Sequence, residues 1–255
     1  MIKQIPNLFT LLNLLFGCLA VIFVLQTGES LITESEAGNF VPQLPEKIWW
    51  GSAFIGLAAV VDFLDGFVAR AFNATSEMGK QLDSLADVVS FGVAPGIILY
   101  QLLRISFVQE ENGLDVSIWA LIPALIFPLA AAWRLARFNI AENVTADFTG
   151  VPSPAAGLFV ASLPLILFYD YYNISAVLVN RWVLYAITFV LSYLMISKAK
   201  FMALKFGKSS NNLPKIILVI IALVAAFFLQ WLAVPVVFLV YLILSQFTKA
   251  NSKTK

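Results

Sequence analysis

Long apolar stretches separated by short polar segments dominate the chain. A membrane-spanning helix needs roughly 20 mostly apolar residues, and eight segments have this character. The predicted spans are about Leu8–Gln26, Trp49–Arg70, Gln81–Leu103, Ile118–Phe138, Pro154–Phe168, Arg181–Ile196, Leu213–Leu229 and Trp231–Gln246. We expect helices because lipid offers the backbone no hydrogen-bond partner outside the segment. The pattern therefore predicts an all-α integral membrane protein, with the polar segment 28–47 as an outer loop.

The basic residues are divided unevenly between the two ends of these helices, which predicts the orientation of the chain. With the N-terminus in the cytoplasm, thirteen of the sixteen basic residues lie inside, and only Lys47, Arg104 and Arg181 lie outside. Acidic loop residues such as Glu110 and Asp115 show the opposite bias. An even number of spans returns the lysine-rich C-terminal tail to the cytoplasm. We therefore expect an N-in/C-in topology in the cytoplasmic (inner) membrane.

Composition narrows the classes of chemistry that are open to the chain. Hydrophobic residues make up 60% and charged residues only 12%, about half the charged fraction of a soluble domain. The absence of histidine excludes a histidine-based triad, a histidine metal site and an imidazole base. The single cysteine, Cys18, excludes intrachain disulfides and cysteine-based metal clusters. We expect no nucleic-acid partner.

Four aspartates at the cytoplasmic ends of the second and third spans depart from this apolar pattern. Asp62 and Asp65 are three residues apart, and Asp83 and Asp87 are four apart, so each pair lies on one helix face. The segment 71–80 is short, which makes the two helices antiparallel neighbours. A single charged Asp in the membrane costs on the order of 3 kcal/mol. Bound cations are the natural compensation.

Carboxylate oxygens favour Mg²⁺ as the cation in such a cluster, and Mn²⁺ or Ca²⁺ are alternatives. We expect two ions, because a pair about 3.5–4 Å apart forms a clamp for phosphoryl transfer. The cluster therefore predicts a magnesium site with phosphoryl-transfer chemistry at the inner face of the membrane.

Small and basic residues flank the aspartates. Gly66 leaves bare backbone beside the second Asp, as the close approach of a ligand requires. Gly79 begins the third span and allows a helix or a ligand to come near. Arg70 lies at the cytoplasmic interface, where its guanidinium can bind phosphate oxygens. The alternatives are ordinary small-residue packing for the glycines and a positive-inside anchor for Arg70.

Asn7, Thr10 and Asn13 recur every three residues and mark one face at the entry of the first span. Two interpretations remain open for this face. Its side chains either hydrogen-bond a nucleotide or bond neighbouring helices.

The residues from Asp62 to Asp87 carry a resemblance to a known family. They match D-x2-D-G-x2-A-R-x8-G-x3-D-x3-D at every fixed position, and this pattern resembles the CDP-alcohol phosphotransferase family. The resemblance implies a six-helix membrane core, usually a homodimer, whose site opens to the cytoplasm. It also implies that the hydroxyl of an alcohol displaces CMP from a CDP-linked lipid.

Carried over by position, the resemblance assigns a role to each residue of the motif. It implies metal binding by Asp62, Asp65 and Asp83. Asp87 becomes a further metal ligand and the general base on the incoming hydroxyl. The resemblance implies that Gly66, Arg70 and Ser76 contact the CDP moiety. Gly79, Asn7 and Thr10, which the residues themselves suggested, complete the set expected to bind the CDP-lipid.

Sequences beside the motif narrow the resemblance to one branch of the family. Ile5-Pro-Asn-Leu-Phe-Thr-Leu-Leu-Asn13, Ser90-Phe-Gly-Val-Ala-Pro95 and Arg134-Leu-Ala-Arg-Phe-Asn139 are similar to the integral-membrane phosphatidylserine synthases. The resemblance covers about residues 3–200. It implies CDP-diacylglycerol and L-serine as substrates, with phosphatidylserine and CMP as products. The expected domains are a catalytic core, 1–200, and a C-terminal helical hairpin with a lysine-rich tail, 201–255.

Arg134, Arg137 and Asn139 at the inner end of the fourth span are the candidate serine-binding residues. Arg134 and Arg137 are three residues apart, so both can face one pocket. A guanidinium suits the carboxylate of serine, which glycerol and inositol lack. The alternative is a positive-inside pair.

Three further questions stay open on the sequence alone. Another acceptor, glycerol 3-phosphate or inositol phosphate, is also anionic and suits the same arginines. A cation- or proton-coupled transporter is the rival from another class, because intramembrane carboxylates also mark ion paths. Clustering of the aspartates at one end of the helices disfavours it. We expect direct displacement rather than a phosphoenzyme, although the residues do not exclude the latter.

Overall fold

The computed structural model describes residues 5–25, 32–34, 40–42, 47–71, 76–108, 115–140, 148–202 and 213–252. The longer helices in this part are α1 (Ile5–Leu25), α2 (Ile48–Ala71), α3 (Glu77–Val88), α4 (Ala94–Val108), α6 (Ile126–Ile140), α7 (Ser153–Tyr169), α9 (Arg181–Ile196), α10 (Leu213–Leu229) and α11 (Ala233–Ser252). Two four-residue helices are α5 (Ile118–Leu121) and α8 (Ser175–Leu178).

Two pairs of very short antiparallel strands accompany the helices. Strand β1 (Ile32–Glu34) pairs with β2 (Phe40–Pro42), and β3 (Phe148–Thr149) pairs with β4 (Lys200–Phe201). The first pair lies in the segment that the sequence predicted as a plain outer loop. Apart from short turns and connections, the rest of the described chain is helical, so the prediction of a helical membrane protein is confirmed.

Each of the eight predicted spans coincides with helix in the structure. Within the described ranges, five helical stretches are long and apolar enough to cross a membrane, namely Pro6–Leu25, Ile48–Val68, Glu77–Val108, Ile118–Ile140 and Leu213–Gln246. The last stretch contains both α10 and α11, separated by a 3-10 turn at Gln230–Leu232. Helices α7 and α9 are apolar but shorter, with 17 and 16 residues.

The centre of the structure is a single rod that runs from α3 into α4. A π-helical turn at Val89–Val93 joins the two helices, so the predicted third span extends over Glu77–Val108. In an 18-residue apolar window of this span 67% of the residues are buried, whereas in a window of the stretch containing α10 and α11 only 17% are buried. The rod is therefore the axis around which α1, α2, α6, α7 and α9 pack.

Helix α1 runs antiparallel to α2 and parallel to the central rod. The rings of Phe23 and Phe54 lie 5.2 Å apart between α1 and α2. At the other side of α1, the Gln101 side chain donates a hydrogen bond of 3.0 Å to the carbonyl of Val24. The Ser90 hydroxyl, in the π-helical turn, donates to the carbonyl of Asn13 at 3.0 Å. These contacts fix the position of α1 along its axis relative to α2 and to the central span.

Alternation of helix direction brings six helix ends together at one side of the molecule. The starts of α1, α3 and α7 lie beside the ends of α2, α6 and α9. Every candidate residue of the sequence analysis that the structure describes lies at this side. The outward faces of the helices carry large apolar side chains such as Trp119, Phe227 and Trp182, which suits contact with lipid.

A close approach between α1 and the π-helical turn gives a test of this packing. A Cβ added at Gly17 would clash with the Ser90 hydroxyl oxygen, whereas one added at Gly56 in α2 meets nothing within 4 Å. Overpacking costs about 1–3 kcal/mol, more than the helix propensity that alanine restores. Gly17→Ala should lower the thermal midpoint in detergent, and Gly56→Ala should leave it unchanged or raise it. Equal midpoints for the two variants would contradict this packing.

Candidate active site

Three carboxylates from two helices converge at the end where the six helix ends meet. Asp62 of α2 and Asp83 and Asp87 of α3 each offer an oxygen, and these oxygens all lie within 4.8 Å of one another. At this separation each pair of charges repels by roughly 3 kcal/mol at an effective dielectric constant of about 20. One oxygen of Asp83, Oδ1, is buried without a hydrogen-bond partner among the described residues. The arrangement could therefore hold a cation.

Asn13 of α1 orients the most buried member of this group. Its side-chain nitrogen donates a 3.3 Å hydrogen bond to Oδ1 of Asp87, and both residues are buried, at 0% and 7% exposure. The Ser90 hydroxyl in turn bonds the Asn13 carbonyl. The sequence marked Asn13 only as part of a polar face, and the structure shows the carboxylate to which it donates.

Asp65 lies one turn from the three-carboxylate group and faces α1. The Thr10 hydroxyl donates a hydrogen bond of 3.0 Å to Oδ2 of Asp65, and both side chains are buried. The structure thus brings Asp62, Asp83 and Asp87 together. Asp65 lies one turn away and accepts its hydrogen bond from Thr10 of α1. Thr10 bonds a neighbouring helix, which is one of the two interpretations left open by the sequence.

The start of α3 packs closely against the start of α1. Ser76 caps α3, and its hydroxyl oxygen accepts a 3.0 Å hydrogen bond from the Gly79 N–H. A Cβ at Gly79 would lie 3.0 Å from the side-chain oxygen of Asn7 and 3.1 Å from the Ser76 hydroxyl oxygen. Glycine therefore allows Asn7, Ser76 and the α3 N-terminus to meet in one place. Asn7, Ser76 and Gly79 are three of the residues expected to bind the CDP-lipid.

The remaining two CDP-lipid candidates lie near the end of α2. Gly66 is half-buried in the helix, one residue after Asp65. Arg70 belongs to the last turn of α2, and its side chain lies outside the described part of the structure. Its role stays a prediction.

Arg134 of α6 is a buried cation at the same end of the helix bundle as the carboxylate group. Its exposure is 7%, and its guanidinium interacts electrostatically with Asp87. Nη1 donates a 3.3 Å hydrogen bond to the hydroxyl of Ser153, and Nε has no partner among the described residues. A buried guanidinium with an unused donor next to a cluster of carboxylates is suited to bind an anionic ligand.

Arg137 and Asn139 have different surroundings from Arg134. Arg137 donates from Nη1 to the carbonyl of Ile196 at 2.9 Å and from Nη2 to that of Ser197 at 3.2 Å, at the C-terminal end of α9. Asn139 donates from Nδ2 to the Ser84 hydroxyl at 2.7 Å. Both side chains therefore tie α6 to neighbouring helices.

Comparison with known proteins agrees with the motif from Asp62 to Asp87. The family model for CDP-alcohol phosphatidyltransferase matches residues 3–194. A CDP-diacylglycerol–serine O-phosphatidyltransferase of Bacillus subtilis is 36% identical over 160 residues, which cover 62% of this chain and 77% of the relative.

Two further relatives bear the same name. The protein of Helicobacter pylori is 32% identical over 241 residues, covering 93% of this chain and 87% of the relative. The protein of Methanocaldococcus jannaschii is 42% identical over 129 residues, covering 50% and 57% of the two chains.

The three-carboxylate group predicts a divalent-cation site. Measurements of Mg²⁺ binding, without any assay of activity, can test it. Mg²⁺ added to metal-free protein should raise the thermal midpoint in a saturable manner, since a ligand at 100 times its Kd stabilises the native state by about 2.7 kcal/mol. Asp62→Asn should raise the Mg²⁺ concentration for half the effect by about 10-fold or more. Asp115, an exposed residue far along the chain, supplies the control variant Asp115→Asn. A wild-type response in Asp62→Asn would refute the site.

Proposed function

Because the chain belongs to the CDP-alcohol phosphatidyltransferase family, we propose that it transfers the phosphatidyl group of CDP-diacylglycerol to L-serine. The products are phosphatidylserine and CMP. The observation that carries the proposal is the meeting of Asp62, Asp83 and Asp87 within 4.8 Å at the end of the helix bundle. The choice of serine rests on the names of the relatives and on the buried guanidinium of Arg134.

The carboxylates fit a divalent metal, because the donor set is all oxygen and includes a buried oxygen without a partner. Asp62, Asp83 and Asp87 would hold Mg²⁺, with Asp65 next to them as a further candidate ligand. When bound, Mg²⁺ neutralises the diphosphate and stabilises the charge that develops on departing CMP. Two ions, with Mn²⁺ or Ca²⁺ as alternatives, remain the proposal for this site.

Asp87 is the proposed general base. Its carboxylate accepts the proton of the serine hydroxyl as the oxygen of that hydroxyl bonds to the lipid-side phosphorus. The bond between this phosphorus and the bridging oxygen of CMP breaks, and CMP leaves with the electron pair. Asn13 donates to Oδ1 of Asp87 and so fixes the direction of the carboxylate. A directed base within reach of the hydroxyl contributes about 10²–10⁴-fold to the rate.

The CDP part of the lipid is proposed to lie at the meeting of α1, α2 and α3. Asn7, Ser76 and Gly79 approach one another there, and Thr10 lies one turn deeper on α1. Backbone N–H groups at the start of a helix suit phosphate oxygens. The other proposed contacts in this region are Gly66 and Arg70.

The acceptor is proposed to bind on the opposite side of the carboxylates, next to α6. Arg134 is the residue we place against the serine carboxylate, because it is buried near Asp87 and retains a donor. Arg137 donates to backbone carbonyls at the end of α9, and Asn139 donates to the Ser84 hydroxyl of α3. Their contacts support a role in holding the pocket.

The proposed membrane arrangement has eight spans with both termini in the cytoplasm. Residues 1–200 form the catalytic core of six helices, and residues 201–255 form the C-terminal hairpin. Positively charged residues at the site end support a site that faces the cytoplasm from the inner membrane. A homodimer within membrane lipid is the proposed assembly.

The acceptor assay tests the proposed reaction. Detergent-solubilised protein with Mg²⁺ and CDP-diacylglycerol should release CMP with L-serine and form phosphatidylserine. Glycerol 3-phosphate and inositol phosphate, supplied in parallel, should yield at least about 10-fold less lipid product, since each mismatched contact costs about 1–3 kcal/mol. A product only with one of these phosphates would identify another acceptor. No CMP release with any acceptor, in the absence of an ion gradient, would favour a transporter.

Replacement of the proposed base gives a sharper test of the mechanism. Asp87→Asn keeps the size of the side chain and removes the proton acceptor, so kcat should fall by about 10²–10⁴-fold at saturating Mg²⁺. Asp115→Asn should retain wild-type kcat. Near-normal turnover of Asp87→Asn at saturating Mg²⁺ would exclude the general-base role of Asp87.

A further inference from the structure

The orientation of Arg134 depends on a residue that lies outside its own helix. Ser153, the first residue of α7, is fully buried and accepts a hydrogen bond of 3.3 Å from Nη1 of Arg134. A guanidinium has five donors in a fixed planar fork, so one such contact restricts the direction of the others. Correct placement of Ser153 therefore sets the geometry of the arginine that faces the acceptor.

Ser153 is held by the segment just before it, 148–152, which we call the strap. The strap lies on the C-terminal end of α9: the Gly150 N–H donates to the carbonyl of Ala199 at 2.8 Å, and the Val151 N–H donates to that of Leu194 at 3.0 Å. Its strand β3 pairs with β4, with Thr149 opposite Lys200. The position of Ser153 thus depends on β4 and on the end of α9.

The C-terminal helix holds β4 from the other side. The Tyr241 hydroxyl of α11 donates a 3.1 Å hydrogen bond to the carbonyl of Met202, directly after β4. The Tyr241 ring stacks on Phe201 at 6.2 Å, and Tyr241 is only 4% exposed. One turn earlier, Phe238 packs edge-on against Phe159 of α7 at 5.1 Å. Helix α11 therefore contacts β4 and also α7, the helix that begins at Ser153.

We propose that α11 is a positioning element of the acceptor pocket, in which Tyr241 fixes β4, β4 fixes the strap, and the strap sets Ser153 against Arg134. The proposal rests on the proposed function for the identity of the acceptor. It assigns a role to the C-terminal hairpin, which lies beyond the residues 3–194 matched by the family model. Tyr241 and Ser153 are positioning residues, and Arg134 is the group that touches the acceptor.

Single substitutions with matched shapes test this path. Ser153→Ala and Tyr241→Phe each remove one hydroxyl, and each should raise the KM for L-serine by roughly 3- to 10-fold, the equivalent of one lost hydrogen bond. The KM for CDP-diacylglycerol and kcat should stay within about 2-fold of wild type. Tyr193, a tyrosine of α9 that is 68% exposed, supplies the control Tyr193→Phe, for which no constant should change.

The double variant Ser153→Ala/Tyr241→Phe distinguishes two explanations. Either Tyr241 acts on Arg134 through Ser153, or the two residues affect serine binding independently. If Tyr241 acts through Ser153, Tyr241→Phe should raise the KM for serine no further in the Ser153→Ala background. Multiplicative effects of the two substitutions would overturn the proposed order. An unchanged serine KM, or equal rises in both KM values, would overturn the positioning role itself.

Failure of the proposed function has a different signature. Wild-type protein that forms no phosphatidylserine from serine contradicts the reaction, whatever the variants do. Wild-type protein that forms it, with serine KM values that Ser153→Ala and Tyr241→Phe leave unchanged, contradicts only the role of α11. Thermal midpoints of the variants, measured beside the kinetics, should lie within a few degrees of wild type.

Discussion

Repulsion between carboxylates in a medium of low dielectric constant is the constraint on which this structure depends. Asp62, Asp83 and Asp87 lie within 4.8 Å of one another at one end of a helix bundle, where no histidine is available to share a proton. The fold tolerates this because alternating helices bring donors to the same end. Asn13 bonds Asp87, and Arg134 lies within electrostatic range of it. The charge that remains is what a divalent cation would neutralise.

The sequence predicted the helices well because hydrophobic length is a local property. All eight predicted segments are helical, and the family match confirms the enzyme class that the motif from Asp62 to Asp87 indicated. The pairing of β1 with β2 inside the polar segment 28–47 was not predicted, since strands of three residues leave no strong local signal in the sequence.

The detailed site was less predictable, and helix geometry explains why. Residues three apart differ by about 60° around a helix, enough for them to face different neighbours. Asp65 accordingly contacts Thr10 of α1, whereas Asp62 meets α3. The same offset turns Arg137 to the end of α9, whereas Arg134 bonds Ser153 at the start of α7. Spacing alone placed each pair on one face, and only the tertiary arrangement separates the two members.

The π-helical turn at Val89–Val93 has a consequence for the central rod. Before this turn in the chain, Asp87 accepts a hydrogen bond from Asn13 of α1. After the turn, Gln101 donates a hydrogen bond to the carbonyl of Val24, which also belongs to α1. Successive side chains of an α-helix are rotated by about 100°. The π-helical turn changes this rotation locally, so it sets the direction of Gln101 relative to that of Asp87. Loss of a single residue within it would rotate Gln101 away from α1 while Asp87 kept its partner. The contacts of this span with α1 are thus set separately in its two halves, and its candidate site residues lie in the half before the π-helical turn.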